Sequence, residues 1–159
     1  MSALSRSRRA AIDCGDPVIY MEHKELWGLQ GEVSSASVPL GKARVVREGK
    51  DLTLVTWSKA LHAALEAKSS KSVEIIDLRT LWPWDRETVF ASVRKTGRLL
   101  VVHEAVQAAG FGAEIAATVA EELGVPVKRL GAPRIPVGYS KPLEDEARIT
   151  PQKIAALIE

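Results

Sequence analysis

The sequence contains few of the residues that mark secreted, membrane or metal-dependent proteins. Its single cysteine, Cys14, excludes an internal disulfide framework and fits a reducing compartment. No apolar run approaches the ~20 residues of a membrane-spanning helix, and the first residues lack the apolar core of a secretory signal. Aromatic residues make up 5% of the chain, and the four tryptophans fall in separate predicted elements. We therefore assign them to core or interface packing rather than to a stacking site.

An excess of basic charge is also absent from the body of the chain. The formal net charge of +2 comes from 22 basic and 20 acidic residues. Without Arg6, Arg8 and Arg9 the acidic residues would outnumber the basic ones, so a face that binds nucleic-acid phosphates is not predicted. Residues 1–9 are rich in arginine and serine and contain no acid. We interpret them as a disordered tail or a cloning remnant rather than a targeting peptide.

What the sequence does contain is an alternation of strand and helix signals. At 159 residues it fits one domain that can bury a core without a metal or a disulfide. Apolar runs predict strands at 17–21, 39–46, 52–57, 73–76, 99–102 and 126–130. Helices are expected after Ser58, Asp85 and Thr150, which can cap a helix N-terminus, and around the apolar repeat of Ile115, Val119 and Leu123. Gly97 is expected to end the helix that begins after Asp85. This alternation predicts an α/β domain with parallel strands.

Two segments are interpreted as irregular. Residues 27–37 contain two glycines and three serines, a composition typical of a linker. The charge run Lys141–Glu146 is interpreted as a solvated surface loop.

Polar side chains follow two of the predicted strands. Asp77 and Arg79 follow one strand, and His103 and Glu104 follow another, so all four are expected at the carboxyl edge of the sheet, where ligands and partners bind in such folds. His103 and Glu104 could form an acid/base pair. Because no nucleophile signature, metal-ligand spacing or second histidine accompanies them, we favour a structural or interfacial role for His103.

The segment Gly110-Phe-Gly112 before a helix is similar to part of a phosphate-binding loop. Ile115 stands where the third glycine of the dinucleotide fingerprint would fall, and no acidic residue follows at the required distance. Close packing of this small-residue loop, which includes Ala109, against a neighbouring chain is the preferred interpretation.

Five motifs, taken in their order along the chain, resemble the β subunits of thiamine diphosphate-dependent 2-oxoacid dehydrogenases, specifically their transketolase-like C-terminal domain. They are Val38-Pro-Leu-Gly-Lys-Ala43, Thr53-Leu-Val-Thr-Trp57, Glu74-Ile-Ile-Asp-Leu-Arg-Thr-Leu81, Lys95-Thr-Gly-Arg-Leu-Leu-Val-Val-His-Glu-Ala105 and Gly110-Phe-Gly-Ala-Glu-Ile-Ala116. The resemblance implies a three-layer α/β/α domain with a mostly parallel, five-stranded sheet. It places this domain at 38–159, with 10–37 as the end of a preceding pyrimidine-binding domain plus linker.

The resemblance also implies a function that needs more than this chain. Relatives of this kind decarboxylate a 2-oxoacid, such as pyruvate or a branched-chain 2-oxoacid, or act on acetoin, and they acylate lipoyl groups. Their partners are an α subunit, a second β subunit and a lipoyl acyltransferase core, in the cytoplasm of bacteria or the mitochondrial matrix of eukaryotes. Thiamine diphosphate and magnesium bind at residues outside this sequence, so no catalytic residue is carried over and neither cofactor is expected here.

One metal site could extend into this chain. In related chains backbone carbonyls aligned with Ala11, Ile12, Cys14 and Asp16 bind a potassium ion, and carbonyl oxygens suit such a cation. Asp13-Cys14 replaces the usual Arg-Asp pair, so we expect this site to be empty. The resemblance predicts an assembly domain that forms a homodimer through residues 103–112; the alternative is an independent ligand-binding α/β domain.

Overall fold

The computed structural model describes residues 3–31 and 38–159, with side chains from residue 8 onward. The helices are α1 (Ala3–Asp13), α2 (Lys59–Glu66), α3 (Arg86–Thr96), α4 (Gly112–Leu123), α5 (Lys141–Ala147) and α6 (Pro151–Ile158). The strands are β1 (Arg44–Arg47), β2 (Leu52–Thr56), β3 (Val73–Asp77), β4 (Leu99–Val106) and β5 (Val127–Ala132). A single 3₁₀ turn lies at Lys24–Leu26. None of the helices in these ranges is long and apolar enough to cross a membrane.

The five strands form one sheet in the order β1-β3-β2-β4-β5. β3, β2, β4 and β5 are parallel, and β1 alone runs antiparallel, against β3. The pairing of β4 with β5 shifts register between Val102 and Val106, so the end of β4 is bulged. Such bulges redirect side chains at the end of a strand. The predicted mostly parallel, five-stranded α/β fold is confirmed.

Helices cover both faces of the sheet and complete three layers. The core is split accordingly into two apolar clusters. On one face Leu54, Ile75 and Leu100 pack with Ala60 and Ala64 of α2 and with Ile154 and Ile158 of α6. On the other face Val55, Ile76 and Val101 pack with Val89 and Val93 of α3 and with Ile115 and Val119 of α4. β2, β3 and the first part of β4 are buried on both sides, as their continuous apolar runs require.

Three predicted helix boundaries are confirmed. The Asp85 carboxylate accepts the Thr88 N–H at 3.1 Å at the start of α3, and the Thr150 hydroxyl accepts the Lys153 N–H at 3.3 Å at the start of α6. Gly97 ends α3 at φ 74°, in the left-handed region that glycine reaches without steric cost. Ser58 precedes α2 as predicted, but it makes no side-chain capping bond because its backbone lies at φ 56°.

Three segments differ from their expected local structure. Helix α1 covers most of the segment interpreted as a disordered tail, and Arg8 pairs with Glu22 and lies over the Tyr20 ring. The apolar residues at 17–21 form no strand, since no neighbouring strand pairs with them. The charge run at 141–146 begins helix α5, in which Lys141 and Asp145 form an ion pair one turn apart at 2.6 Å. The predicted linker is described only as far as Gly31.

Candidate functional site at the carboxyl edge of the sheet

The loops at the carboxyl edge of the sheet contain the unusual backbone of this molecule. Within residues 3–31 and 38–159, the non-glycine residues at positive φ are Ser58 (56°) after β2, Arg79 (59°) after β3 and Ala109 (61°) after β4. Each of these conformations is costly for an L-residue, and such costs are retained where the surrounding structure holds the chain in place. Both the fold and the backbone geometry therefore indicate the carboxyl edge as the candidate functional site.

Asp77 and Arg79 form a group at the β3 end of this edge. The Asp77 carboxylate accepts the Arg79 N–H at 3.3 Å, and Arg79 Nη2 donates to the Ala43 carbonyl at 2.8 Å. Burial raises the pKa of Asp77, while that N–H and the charges of Arg79 and Arg44 oppose the shift. Their contacts connect β3 to the start of β1, which indicates a structural role.

His103 lies inside β4 and is completely buried. The Trp57 ring stacks on the imidazole with centroids 5.4 Å apart, and Phe111 meets Trp57 edge-on at 6.4 Å. Gly112 lies so close that an added Cβ would come within 2.4 Å of the His103 ring. The imidazole thus has an aromatic ring stacked on it and glycine backbone close to its Cδ2 and Nε2 atoms.

The enclosure determines the charge state of this histidine. Neither ring nitrogen has a hydrogen-bond partner of good geometry among the residues that the structure describes. Burial lowers the pKa of His103. The Ala105 backbone opposes this shift, and the charge of Arg129 adds a smaller lowering. A neutral, inaccessible imidazole can pack but cannot exchange protons with a substrate at this position, so the acid/base hypothesis for His103 finds no support in the geometry.

Glu104 points away from His103 and contacts the N-terminal segment. Its carboxylate lies 3.3 Å from His23 Nε2, and His23 also accepts the Glu25 N–H at the start of the 3₁₀ turn. Glu25 in turn contacts Lys59 at 3.1 Å and both carboxylate oxygens accept from Arg148 Nη2, at 2.6 and 2.8 Å. These donors, Lys59 first, lower the pKa of Glu25. The segment before the linker is therefore fastened across the carboxyl edge.

The predicted site residues consequently fall into two groups. Strand β2 separates Asp77 and Arg79, at and after the end of β3, from His103 and Glu104 on β4. Gly112 is buried against His103 of its own chain, whereas Ala109 is exposed and Gly110 half-buried. Sequence reasoning missed Trp57, His23 and Glu25, because their partners are distant along the chain and no local pattern marks them.

No group of three histidine, cysteine, aspartate or glutamate residues within the described ranges could hold a metal ion. The Cys14 thiol lies 3.2 Å from the Ala11 carbonyl and 3.7 Å from that of Asp16. The expectation that the potassium site is empty stays a prediction.

Comparison with known proteins identifies the family of this domain. Residues 41–154 match the family described as the transketolase C-terminal domain. A solved structure named "Split gene transketolase, inactive beta4 tetramer" superposes with a TM-score of 0.66 at 32% identity, over 80% of this chain and 45% of that one.

Curated relatives extend the resemblance to particular enzymes. The chain is 47% identical over 142 residues to the mitochondrial 2-oxoisovalerate dehydrogenase subunit β of Chaetomium thermophilum, over 80% of this chain and 30% of that one. It is 44% identical over 146 residues to the acetoin:2,6-dichlorophenolindophenol oxidoreductase subunit β of Cupriavidus necator, over 85% of this chain and 43% of that one. A third relative is the pyruvate dehydrogenase E1 component subunit β-2 of Oryza sativa, at 42% identity over 86% of this chain and 40% of that one. The chain thus spans less than half the length of these relatives, and the resemblance to their β subunits is confirmed. It belongs to the transketolase C-terminal domain family.

Proposed function

We propose that this chain is the assembly domain of the β subunit of a 2-oxoacid or acetoin dehydrogenase, and that it is inactive by itself. The observation that carries the proposal is the identity of 40 to 47% with such β subunits in a chain that spans only 30 to 46% of their lengths. The complete enzyme would oxidatively decarboxylate its 2-oxoacid and acylate a lipoyl group. Pyruvate, branched-chain 2-oxoacid and acetoin dehydrogenases are all represented among the relatives. The proposal therefore includes all three substrate types.

The geometry of the carboxyl edge supports the assembly role. In an independent enzyme of this fold the edge would be open to a ligand. Here His23 and Glu25, which precede the domain, occupy part of that edge through Glu104, Lys59 and Arg148. In the proposed enzyme this edge faces the preceding domain, and the α subunit and the lipoyl acyltransferase core are further partners.

Thiamine diphosphate is expected not to bind to this chain alone. The cofactor belongs to the proposed complete enzyme, and the residues described here offer neither a magnesium cluster nor an open carboxyl edge for it. Isothermal titration of the chain with thiamine diphosphate and magnesium should give no saturable heat. Tight, magnesium-dependent binding would contradict the proposed role.

A homodimer through residues 103–112 is the second expected property. Ala105, Val106, Ala108 and Ala109 are exposed next to the bulged end of β4, where small side chains permit close approach of another chain. The β chains of the split-gene transketolase, similar in sequence and fold, associate with one another as an inactive tetramer. Two-fold pairing is also the commonest association of identical chains.

Ala109→Glu is expected to weaken this dimer by about 100-fold or more, because an unpaired carboxylate buried in an interface costs about 3 kcal/mol. Sedimentation equilibrium over a concentration series measures the change. Ala91→Glu, on the exposed side of α3, is the matched control and should leave the association constant unchanged. A monomeric parent chain, or a dimer whose stability is the same after the Ala109→Glu substitution, would show that the interface lies elsewhere.

The strained loops favour one alternative, an independent ligand-binding domain. Ser58, Arg79 and Ala109 at positive φ are the kind of residues that surround ligand sites in α/β sheets. Thermal shift against 2-oxoacids, nucleotides and thiamine diphosphate separates the two functions, since a ligand at 100 times its dissociation constant adds about 2.7 kcal/mol of stability. Stabilisation by one of these ligands that is lost on Arg79→Gln substitution would establish the alternative.

A further inference from the structure

A groove of about 540 Å³ lies beside the carboxyl-edge contacts, between the outer edge of β5 and the segment that joins α5 to α6. This volume falls in the range of small-molecule sites in proteins. β5 is the last strand of the sheet, so no further strand among the described residues covers it. The groove is therefore an open concavity built on an edge of the rigid core.

The lining of the groove is strongly basic. Its lining residues include four cationic ones, Arg129, Arg134, Arg148 and Lys153, and one acidic one, Glu146. Two of these cations form ion pairs or hydrogen bonds within the protein. Arg148 pairs with Glu25 and Glu144, and Lys153 Nζ donates to three backbone carbonyls at 2.7 to 2.9 Å. These two hold the wall of the groove in place.

The other two cations have no carboxylate partner in the part of the chain that the structure describes. Arg134 is exposed at the rim and forms no ion pair there. Arg129 is half-buried on β5, and its Nη1 donates to the Gln107 carbonyl at 3.1 Å. A guanidinium has five N–H donors in a planar fork, so this bond leaves donors of Arg129 available for an oxyanion.

Hydrogen bonds between Gln107 and β5 fix the position of the carbonyl that Arg129 contacts. Gln107 donates its backbone N–H to the Ala132 carbonyl at 2.9 Å, and its side-chain oxygen accepts the Gly131 N–H at 3.1 Å. Gly131 permits this close approach, because a Cβ there would lie 2.7 Å from Gln107 Cα. Since the guanidinium is fixed before a ligand arrives, little side-chain entropy is lost on binding.

Apolar residues complete the lining. Leu130 of β5 and Ile149 after α5 are half-buried parts of the core cluster and contribute apolar surface to the groove, beside Pro133. A ligand with an anionic head and an apolar body would match both parts of this lining.

We propose that this groove binds a small organic anion, a carboxylate or phosphate ester, whose oxygens contact Arg129 and Arg134 while its body lies on Leu130 and Pro133. The proposal does not rest on the proposed assembly function. Gln107 and Ala108 of the groove belong to the segment expected at the dimer interface, so the groove borders that interface. No group in the groove suggests chemistry on the ligand, so its role is binding.

Isothermal titration of the chain with phenyl phosphate and with benzoate, at constant ionic strength, tests the proposal. At least one should bind saturably with a dissociation constant in the millimolar range or below, and the tighter of the two identifies the head group. Inorganic phosphate and acetate, which lack the apolar body, should bind several-fold more weakly. No saturable binding of either aromatic probe, or equal binding of probes with and without the ring, overturns the proposal.

Variants locate the site. Arg129→Gln is expected to weaken binding about tenfold or more, because charge-assisted hydrogen bonds are the strong ones, and Arg134→Gln by about threefold or more. Arg134 is exposed, so its variant will fold even if loss of the hydrogen bond from Arg129 to Gln107 disturbs β5. Arg98→Gln removes the same charge at an exposed position outside the groove and should leave binding unchanged. An equal loss in Arg98→Gln and Arg134→Gln would mean attraction by net charge alone and would refute the site.

Discussion

Replacing Gly112 by alanine is expected to lower the free energy of unfolding by about 2 kcal/mol, which corresponds to a melting temperature lower by roughly 4 to 8 °C for a domain of this size. The added Cβ would lie 2.4 Å from His103 Cδ2 and 2.5 Å from Nε2. The ring is completely buried and stacks on Trp57, so it has little room to move away. Alanine gains up to about 1 kcal/mol of helix propensity over glycine, which offsets only part of the clash. Urea denaturation at pH 7 measures the net change.

Gly28→Ala is the matched control, since nothing lies within 4 Å of a Cβ at that exposed position. Its unfolding free energy should stay within about 0.5 kcal/mol of the parent chain. If Gly112→Ala were as stable as this control, the His103 ring would have room to move and the enclosure described above would be wrong.

Asp85→Ala is expected to destabilise the domain by about 2 to 3 kcal/mol. The buried carboxylate of Asp85 accepts the Thr88 N–H at 3.1 Å and hydroxyl at 2.8 Å, and also the Ala43 N–H at 2.9 Å. Loss of a helix cap costs about 1 kcal/mol, and each partner left unsatisfied adds to it. One side chain therefore holds the start of α3 and the approach to β1 together, and differential scanning calorimetry should show a single transition at lower temperature.

The contribution of Asp85 to stability should decrease in acid. Burial alone would raise the pKa of Asp85, but the Ala43 and Thr88 donors outweigh it and hold the pKa below its usual value. A lowered folded-state pKa means that the stabilisation is complete above the unfolded value of about 3.9 and is lost as the pH falls through the folded value. The gap in unfolding free energy between the parent and Asp85→Ala should shrink below about pH 4. Asp85→Asn keeps an acceptor oxygen without charge. Its unfolding free energy should lie between those of the parent chain and Asp85→Ala at pH 7, and it should depend less on pH.

Prediction from sequence succeeded where the determinant is local. The Asp85 and Thr150 caps and the Gly97 stop depend on contacts within one helical turn, so a short pattern contains the whole signal. The buried strands were predicted because apolar runs bounded by turn residues leave few alternatives. In the same way the family motifs located the domain at 38–159, a boundary that stays a prediction.

Prediction failed where the determinant is a distant partner. The segment 17–21 has the apolar residues of a strand but meets no neighbouring strand, and strand formation depends on pairing that local sequence does not reveal. His103 follows an apolar run and looks like a loop residue, yet β4 continues beyond it to Val106, because its backbone pairs again with β5 at Ala132. The basic groove was missed because Arg129 and Arg148 become neighbours only after α5 folds back toward β5.

The contact between Glu25 and Arg148 has a consequence for the order of events during translation. The two residues are 123 positions apart, so Glu25 emerges from the ribosome long before the side chain that holds it. Until residue 148 has been synthesised, His23 and Glu25 lack part of their support at the carboxyl edge, and the N-terminal segment remains available to proteases and chaperones. A nascent chain stalled before residue 148 should be cleaved in this segment faster than the released protein.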